Sequence, residues 1–131
     1  MPIEASWIKE PTIRLHRYFG NVKSTDFEPL LSAELAFLNT CAEPVYYIAD
    51  YSNGATFPIN PMQMPVLMEF IRHRHFGAIA YFEVPSLVSF WVTVFNKVTS
   101  FRIIKANDLA HAQVLLEKMV ELDQERKERT F

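Results

Sequence analysis

Asp50 and Ser52 stand two residues apart in the segment Asp50-Tyr51-Ser52-Asn53-Gly54. A carboxylate beside a hydroxyl can orient a ligand, contribute to a metal site, or hold a serine for modification or nucleophilic attack. The same pair can also close an Asx-type turn, with the carboxylate accepting backbone N–H groups. No Gly-x-Ser-x-Gly elbow surrounds Ser52. Arg72-His73-Arg74-His75 is the densest basic cluster. At the end of a helix these cations would answer the helix dipole. Arg72 and His75, at i and i+3, would also share a face and could contact an anion. His73 and His75 diverge on a helix, with no Cys or Asp beside them at zinc spacing, so no metal site is expected. Cys41 could be a nucleophile or a small apolar residue at a helix end. His16 and His111 have no evident partner in the sequence. The chain has no acid pair, P-loop, dinucleotide fingerprint or nucleic-acid motif, so neither a cofactor nor catalysis is expected.

The elements that must position these residues can be read from spacing. Ser6-Trp7-Ile8 and Thr12 to Phe19 predict two strands joined through Glu10-Pro11 as a hairpin, the second alternating apolar and polar residues. Thr25 and Glu28 have capping-box spacing. Phe27, Leu30, Leu31, Leu35 and Leu38 then recur at helical spacing, which predicts a helix over 26–40. Val45 to Ala49 carries no charge and predicts a buried strand, and residues 50–60 predict a loop beyond it. Such a loop lies at the carboxyl end of a strand, where open α/β sheets tend to place ligands and regulatory groups. A helix to about 74 follows Asn60-Pro61, its start open to delay by Pro65. Gly77 to Phe82 reads as a second buried strand, Phe101 to Ile104 as a short one. Asn107 or Asp108 caps a final helix, and 123–131 reads as a charged, solvated, fraying tail.

The run from Leu87 to Val98 is apolar on nearly every side if helical, with Ser86 as its cap. Either such a helix, over 86–98, is covered all round, or Phe90, Trp91 and Phe95 form an exposed patch for a partner, a second copy of the chain or a lipid. Met62, Met64 and Met68 add adaptable apolar surface nearby. The chain has 131 residues and a formal net charge of −2, with 50% hydrophobic and 14% aromatic residues. That composition suits one domain with its own core, and excludes binding to nucleic acid by bulk electrostatics. One cysteine permits no internal disulfide, and Met1-Pro2-Ile3-Glu4 has no leader-like basic region and apolar core. No run reaches membrane-spanning length, so no integral membrane segment is expected and the cytoplasm is the expected location.

The order is therefore β-β-α-β-α-β-α-β-α, an α/β domain with a mixed, mostly parallel sheet of about five strands and about four helices. It resembles the STAS domain, the fold of bacterial anti-sigma-factor antagonists, and within it the SpoIIAA-like (STAS/SEC14-like) branch. The resemblance covers about residues 6–121. It rests on the element order, on Gly20 before a capped helix, on a buried strand ending in Asp50, and on the ending Phe101-Arg102-Ile103-Ile104-Lys105-Ala106-Asn107-Asp108-Leu109-Ala110-His111-Ala112. The family's loop after the third strand typically reads Asp-Ser-Ser/Thr-Gly, with a serine phosphorylated by a partner kinase. Asp50 and Ser52 match it, Gly54 lies one residue late, Tyr51 and the inserted Asn53 depart from it, and Thr56 follows. The resemblance implies a non-enzymatic regulatory or protein-interaction module, expected as a homodimer, acting through residues 50–60 and 86–98. The alternative is a carrier or sensor of a small apolar or lipid-like ligand, with Phe57, Met62, Met64, Trp91 and Phe95 lining its pocket.

Overall fold

A computed structural model of the chain describes residues 2–56, 64–83, 93, 97 and 102–129. β1 (Ile3–Lys9) and β2 (Ile13–Asn21) form an antiparallel hairpin. β3 (Val45–Thr56), β4 (Phe76–Phe82) and β5 (Ile103–Lys105) continue the sheet in parallel, giving the spatial order β1-β2-β3-β4-β5. Three helices are described: α1 (Ser24–Thr40) between β2 and β3, α2 (Met64–Ile71) between β3 and β4, and α3 (Leu109–Arg129) after β5. The class is thus α/β with a five-stranded mixed sheet. Parallel neighbours need crossovers, and successive right-handed crossovers advancing in one direction put their helices on one face. α1 and α2 accordingly touch each other and share a core with one side of the sheet.

Strand alternation sorts the core into two layers. Val45, Tyr47 and Ala49 face α1 and α2 with Phe27, Leu31, Leu38, Phe70 and Phe76. Tyr46 and Ile48 face α3 with Ile13, Leu15, Ala78, Ala80, Ala112 and Leu116. Each fully buried leucine or isoleucine here contributes about 1.5–3 kcal/mol relative to exposure. Gly77 is where a side chain would not fit: a Cβ there would lie 2.7 Å from the Tyr46 ring.

Several expectations change. β1 is longer than Ser6 to Ile8. α1 begins at Ser24, and the reciprocal bond at its start is donated by the Lys23 backbone N–H to Asp26 Oδ2 at 2.9 Å, not built from Thr25 and Glu28, which are both exposed. Pro29 consequently falls in the second turn, where it has no N–H to return to the Thr25 carbonyl. Residues 50–56 are not loop, because β3 runs on to Thr56. The charged tail is not frayed from Asp123 onward, because α3 stays helical to Arg129. Asp123 accepts hydrogen bonds from Tyr46 Oη and Arg102 Nη2, and Lys127 pairs with Glu43 at 3.2 Å. Of the helix expected over 86–98, only Thr93 and Lys97 fall among the described residues, both helical and exposed.

Candidate functional site

β3 is twelve residues long, but its pairing with β4 ends at Asp50 opposite Phe82. Beyond that point, among the described residues, it pairs with β2 alone, Phe19 opposite Asn53 and Asn21 opposite Thr56, so a two-stranded ribbon extends past the carboxyl end of β4. Each of two register shifts inserts one extra residue on β3. Gly54, at φ +67°, lies within the second shift, where the left-handed backbone favours glycine. Thr56 Oγ1 bonds Asn21 Oδ1 at 3.0 Å, and the Val22 N–H reaches the Thr56 carbonyl at 3.0 Å, closing the ribbon.

Asp50 sits where the ribbon leaves the sheet. It is only 5% exposed. Its Oδ1 accepts the Ser52 backbone N–H at 2.8 Å and the Ser52 hydroxyl at 2.6 Å. Its Oδ2 lies 3.5 Å from Arg17 Nε, too long for a good hydrogen bond. That nitrogen is buried and has no hydrogen-bond partner among the described residues, although the Arg17 side chain as a whole is 42% exposed. Ser52 is exposed. So the buried carboxylate holds an outward-facing serine, with a guanidinium on the strand beside it. On the same edge Glu83, just after β4, has φ +53°, a strained value for a residue with a side chain.

A second polar centre lies under α1. Glu34 is 2% exposed, and its carboxylate accepts Arg14 Nε at 2.7 Å, His16 Nε2 at 2.9 Å and Tyr47 Oη at 3.1 Å. Arg14 in turn lies over the Trp7 and Phe37 rings at 5.1 and 5.8 Å. Burial alone would raise the Glu34 pKa, but the hydrogen bonds from His16 and Arg14 outweigh it and hold the carboxyl below its ordinary value. Burial, then the Glu34 charge, pushes the Tyr47 phenol far above its usual range, so it stays a donor. Glu34 falls on the stripe Phe27, Leu31, Glu34, Leu38, and Arg14 and His16 are the polar residues of the alternating β2 pattern. A polar residue inside the helix's apolar stripe, facing the wetter face of a strand, was the available signal for this cluster.

The basic cluster lies in the turn after α2. His73 Nδ1 accepts the His75 N–H at 3.0 Å, so its proton is on Nε2, which donates to Asn39 Oδ1 at 2.8 Å. His75 Nδ1 donates to the Leu38 carbonyl at 3.0 Å. Both imidazoles thus tie the turn to the end of α1, while Arg72 is exposed. Phe57, Met62, Phe90, Trp91 and Phe95 lie outside the described residues, as does the Met64 side chain. A groove of about 310 Å³ lies at the opposite end of the sheet from Asp50, lined by Lys9, Thr12, Ile13, Glu117, Val120, Glu121 and Gln124. Cys41 Sγ donates to the Phe37 carbonyl at 3.3 Å, and burial raises its pKa, which disfavours the thiolate. His111 belongs to the start of α3: its backbone N–H donates to Asp108 Oδ1, and its Nδ1 accepts the Asn107 N–H. Among the described residues no group of three or more His, Cys, Asp or Glu could hold a metal, and no helix is long and apolar enough to cross a membrane. No protein-family model and no curated protein sequence matches the chain.

Proposed function

We propose that the chain is a non-enzymatic regulatory module of STAS-like type, whose contact surface is the β2–β3 ribbon around Ser52. One observation carries the reading: a 5%-exposed carboxylate is spent on presenting an exposed serine at the carboxyl end of a mostly parallel sheet. The departures from the family's loop support rather than oppose it. Between Asp50 and Asn53 the first register shift gives β3 one residue more than β2, which leaves room for a segment one residue longer than the family's with Asp50 and Ser52 still bonded. Phosphorylation of Ser52 would replace the 2.6 Å donor with close to two negative charges facing Asp50. The bond would break, the ribbon base would reorganise toward Arg17, and a partner fitted to the unmodified surface would be released.

The test is a reconstituted one. A partner captured by crosslinking is purified and its affinity measured for the wild-type chain, Ser52→Asp and Ser52→Ala. Loss of about tenfold or more in Ser52→Asp, with Ser52→Ala near wild type and unchanged circular dichroism, is the expected outcome. Equal affinities across the three would overturn the reading.

A further inference from the structure

The two edges of the sheet are not alike. β5 is three residues long and ends in Lys105, two of the devices by which natural sheets blunt an edge. β1 is seven residues long. Its own blunting features lie outside its centre: Pro2 precedes it, while the register shift and Lys9 come after Trp7. Ile3 to Trp7 has no proline, no bulge and no lysine.

Backbone hydrogen bonds define which groups on that edge are open. The Phe19 N–H donates to the Pro2 carbonyl at 2.7 Å, and Ile3 lies opposite Tyr18. Antiparallel pairs alternate between bonded and non-bonded, so Glu4 with Arg17 and Ser6 with Leu15 exchange bonds inside the hairpin. Ile3, Ala5 and Trp7 therefore direct their N–H and C=O groups away from β2, and no partner for them exists among the described residues. Ile3 and Trp7 are partly buried against the α1-side core, which places the odd-numbered side chains on that face and Glu4 and Ser6 on the other.

We infer that β1 pairs with β1 of a second copy of this chain, antiparallel about a two-fold axis at Ala5, so that two sheets become one. Only residues with outward backbone groups can bond across the axis. That sets Ile3 against the partner subunit's Trp7 and Ala5 against the partner subunit's Ala5. The smallest side chain of the strand then sits at the axis, apolar pairs flank it on the α1 face, and Glu4 meets the partner subunit's Ser6 on the other. No like charges stand opposite each other, which strand pairing requires. The neighbouring helix suits the same contact. Trp7 meets Phe37 edge to face at 5.7 Å, which puts α1 beside β1. Between Pro29 and Thr40 the sole charged residue of α1, Glu34, is buried, so its outer face is free of charge, as interface cores are.

This inference is independent of the Ser52 reading, and the experiment separates them. Sedimentation equilibrium of the whole chain should give a dimer. Amide exchange read residue by residue should show Ile3, Ala5 and Trp7 gaining protection as concentration rises, while Glu4 and Ser6 are protected throughout. Ala5→Lys sets two cations face to face at the axis and Ala5→Pro removes an outward N–H, neither touching the β1–β2 bonds. Each should weaken the dimer at least about tenfold with an unchanged fold, whereas Ser52→Asp should not. A monomer up to high micromolar concentration would overturn the inference. So would a dimer indifferent to both Ala5 variants, or one whose exchange protection falls elsewhere.

Discussion

Glu34 bonds side chains from two strands at once, so its removal strands three donors rather than breaking one contact. Glu34→Ala should cost about 3–5 kcal/mol, because it leaves the Arg14 charge and the His16 and Tyr47 donors without their acceptor. Glu34→Gln, which keeps an acceptor, should cost less. Urea titration of both variants checks the order. His73 offers a pH signature of its own. Burial, then His75 and Arg74, lowers its pKa, and its neutral ring accepts the His75 N–H. A histidine depressed in the fold adds stability above its unfolded pKa of about 6.5 and loses that increment as pH falls through its lower folded value. The His75 amide should accordingly lose protection, relative to its intrinsic exchange rate, with acidification, and nuclear magnetic resonance should show His73 titrating below the unfolded reference. The Asx-type bond between Asp50 and Ser52 was legible in the sequence because its partners lie two residues apart, whereas the strand end expected there was not, since β3 runs on to Thr56. The buried His16–Glu34 pair was not, because its members lie eighteen positions apart and meet only once α1 folds back over β2.

At the scale of elements, the start of β3 and the end of α1 could be read because uncharged runs and helical leucine spacing are local signals. The ribbon could not. Asp50-Tyr51-Ser52-Asn53-Gly54 has turn composition, and only pairing with the distant Phe19 and Asn21 keeps it extended. Gly54→Val should therefore loosen the ribbon without unfolding the sheet, costing about 1–3 kcal/mol for the left-handed backbone. Faster amide exchange confined to residues 19–22 and 52–56 is the expected record. The end of α3 follows the same logic. Its sequence is charged and its own packing weak, yet Asp123 ties it to Tyr46 and Arg102. Asp123→Ala should fray the helix beyond Leu122 and lose about 1–3 kcal/mol, measured by helical circular dichroism and denaturant midpoint. Gly77→Ala would press on the same tie from the other side, because the added Cβ displaces the Tyr46 ring that carries the hydroxyl.

For the whole molecule, Glu34 and Asp123 act in one direction with pH. Burial opposes each charge, but hydrogen bonds from His16 and Arg14 in one case, and from Arg102 and Tyr46 in the other, hold both carboxyls below their ordinary values. Carboxylates depressed in the fold add stability above their unfolded pKa values near 4, and lose it as pH falls through the folded ones. Denaturant midpoints should thus fall steeply below about pH 4, and less steeply in a Glu34→Gln, Asp123→Asn double variant. The α/β class was readable from the alternation of elements. The outward direction of the β1 backbone groups was not, because Ile3 and Trp7 look like ordinary core residues until the Pro2–Phe19 bond shows which way their backbone faces. The Arg14–His16–Glu34–Tyr47 cluster has a further consequence, in descent rather than stability. Exchanging Glu34 for an apolar residue strands the other three, and exchanging any of those takes a donor from the buried Glu34 carboxylate, so a lineage can discard the set but hardly erode it. Among descendants of a common ancestor these four positions should be kept together or lost together, and intermediates holding two or three of them should be scarce.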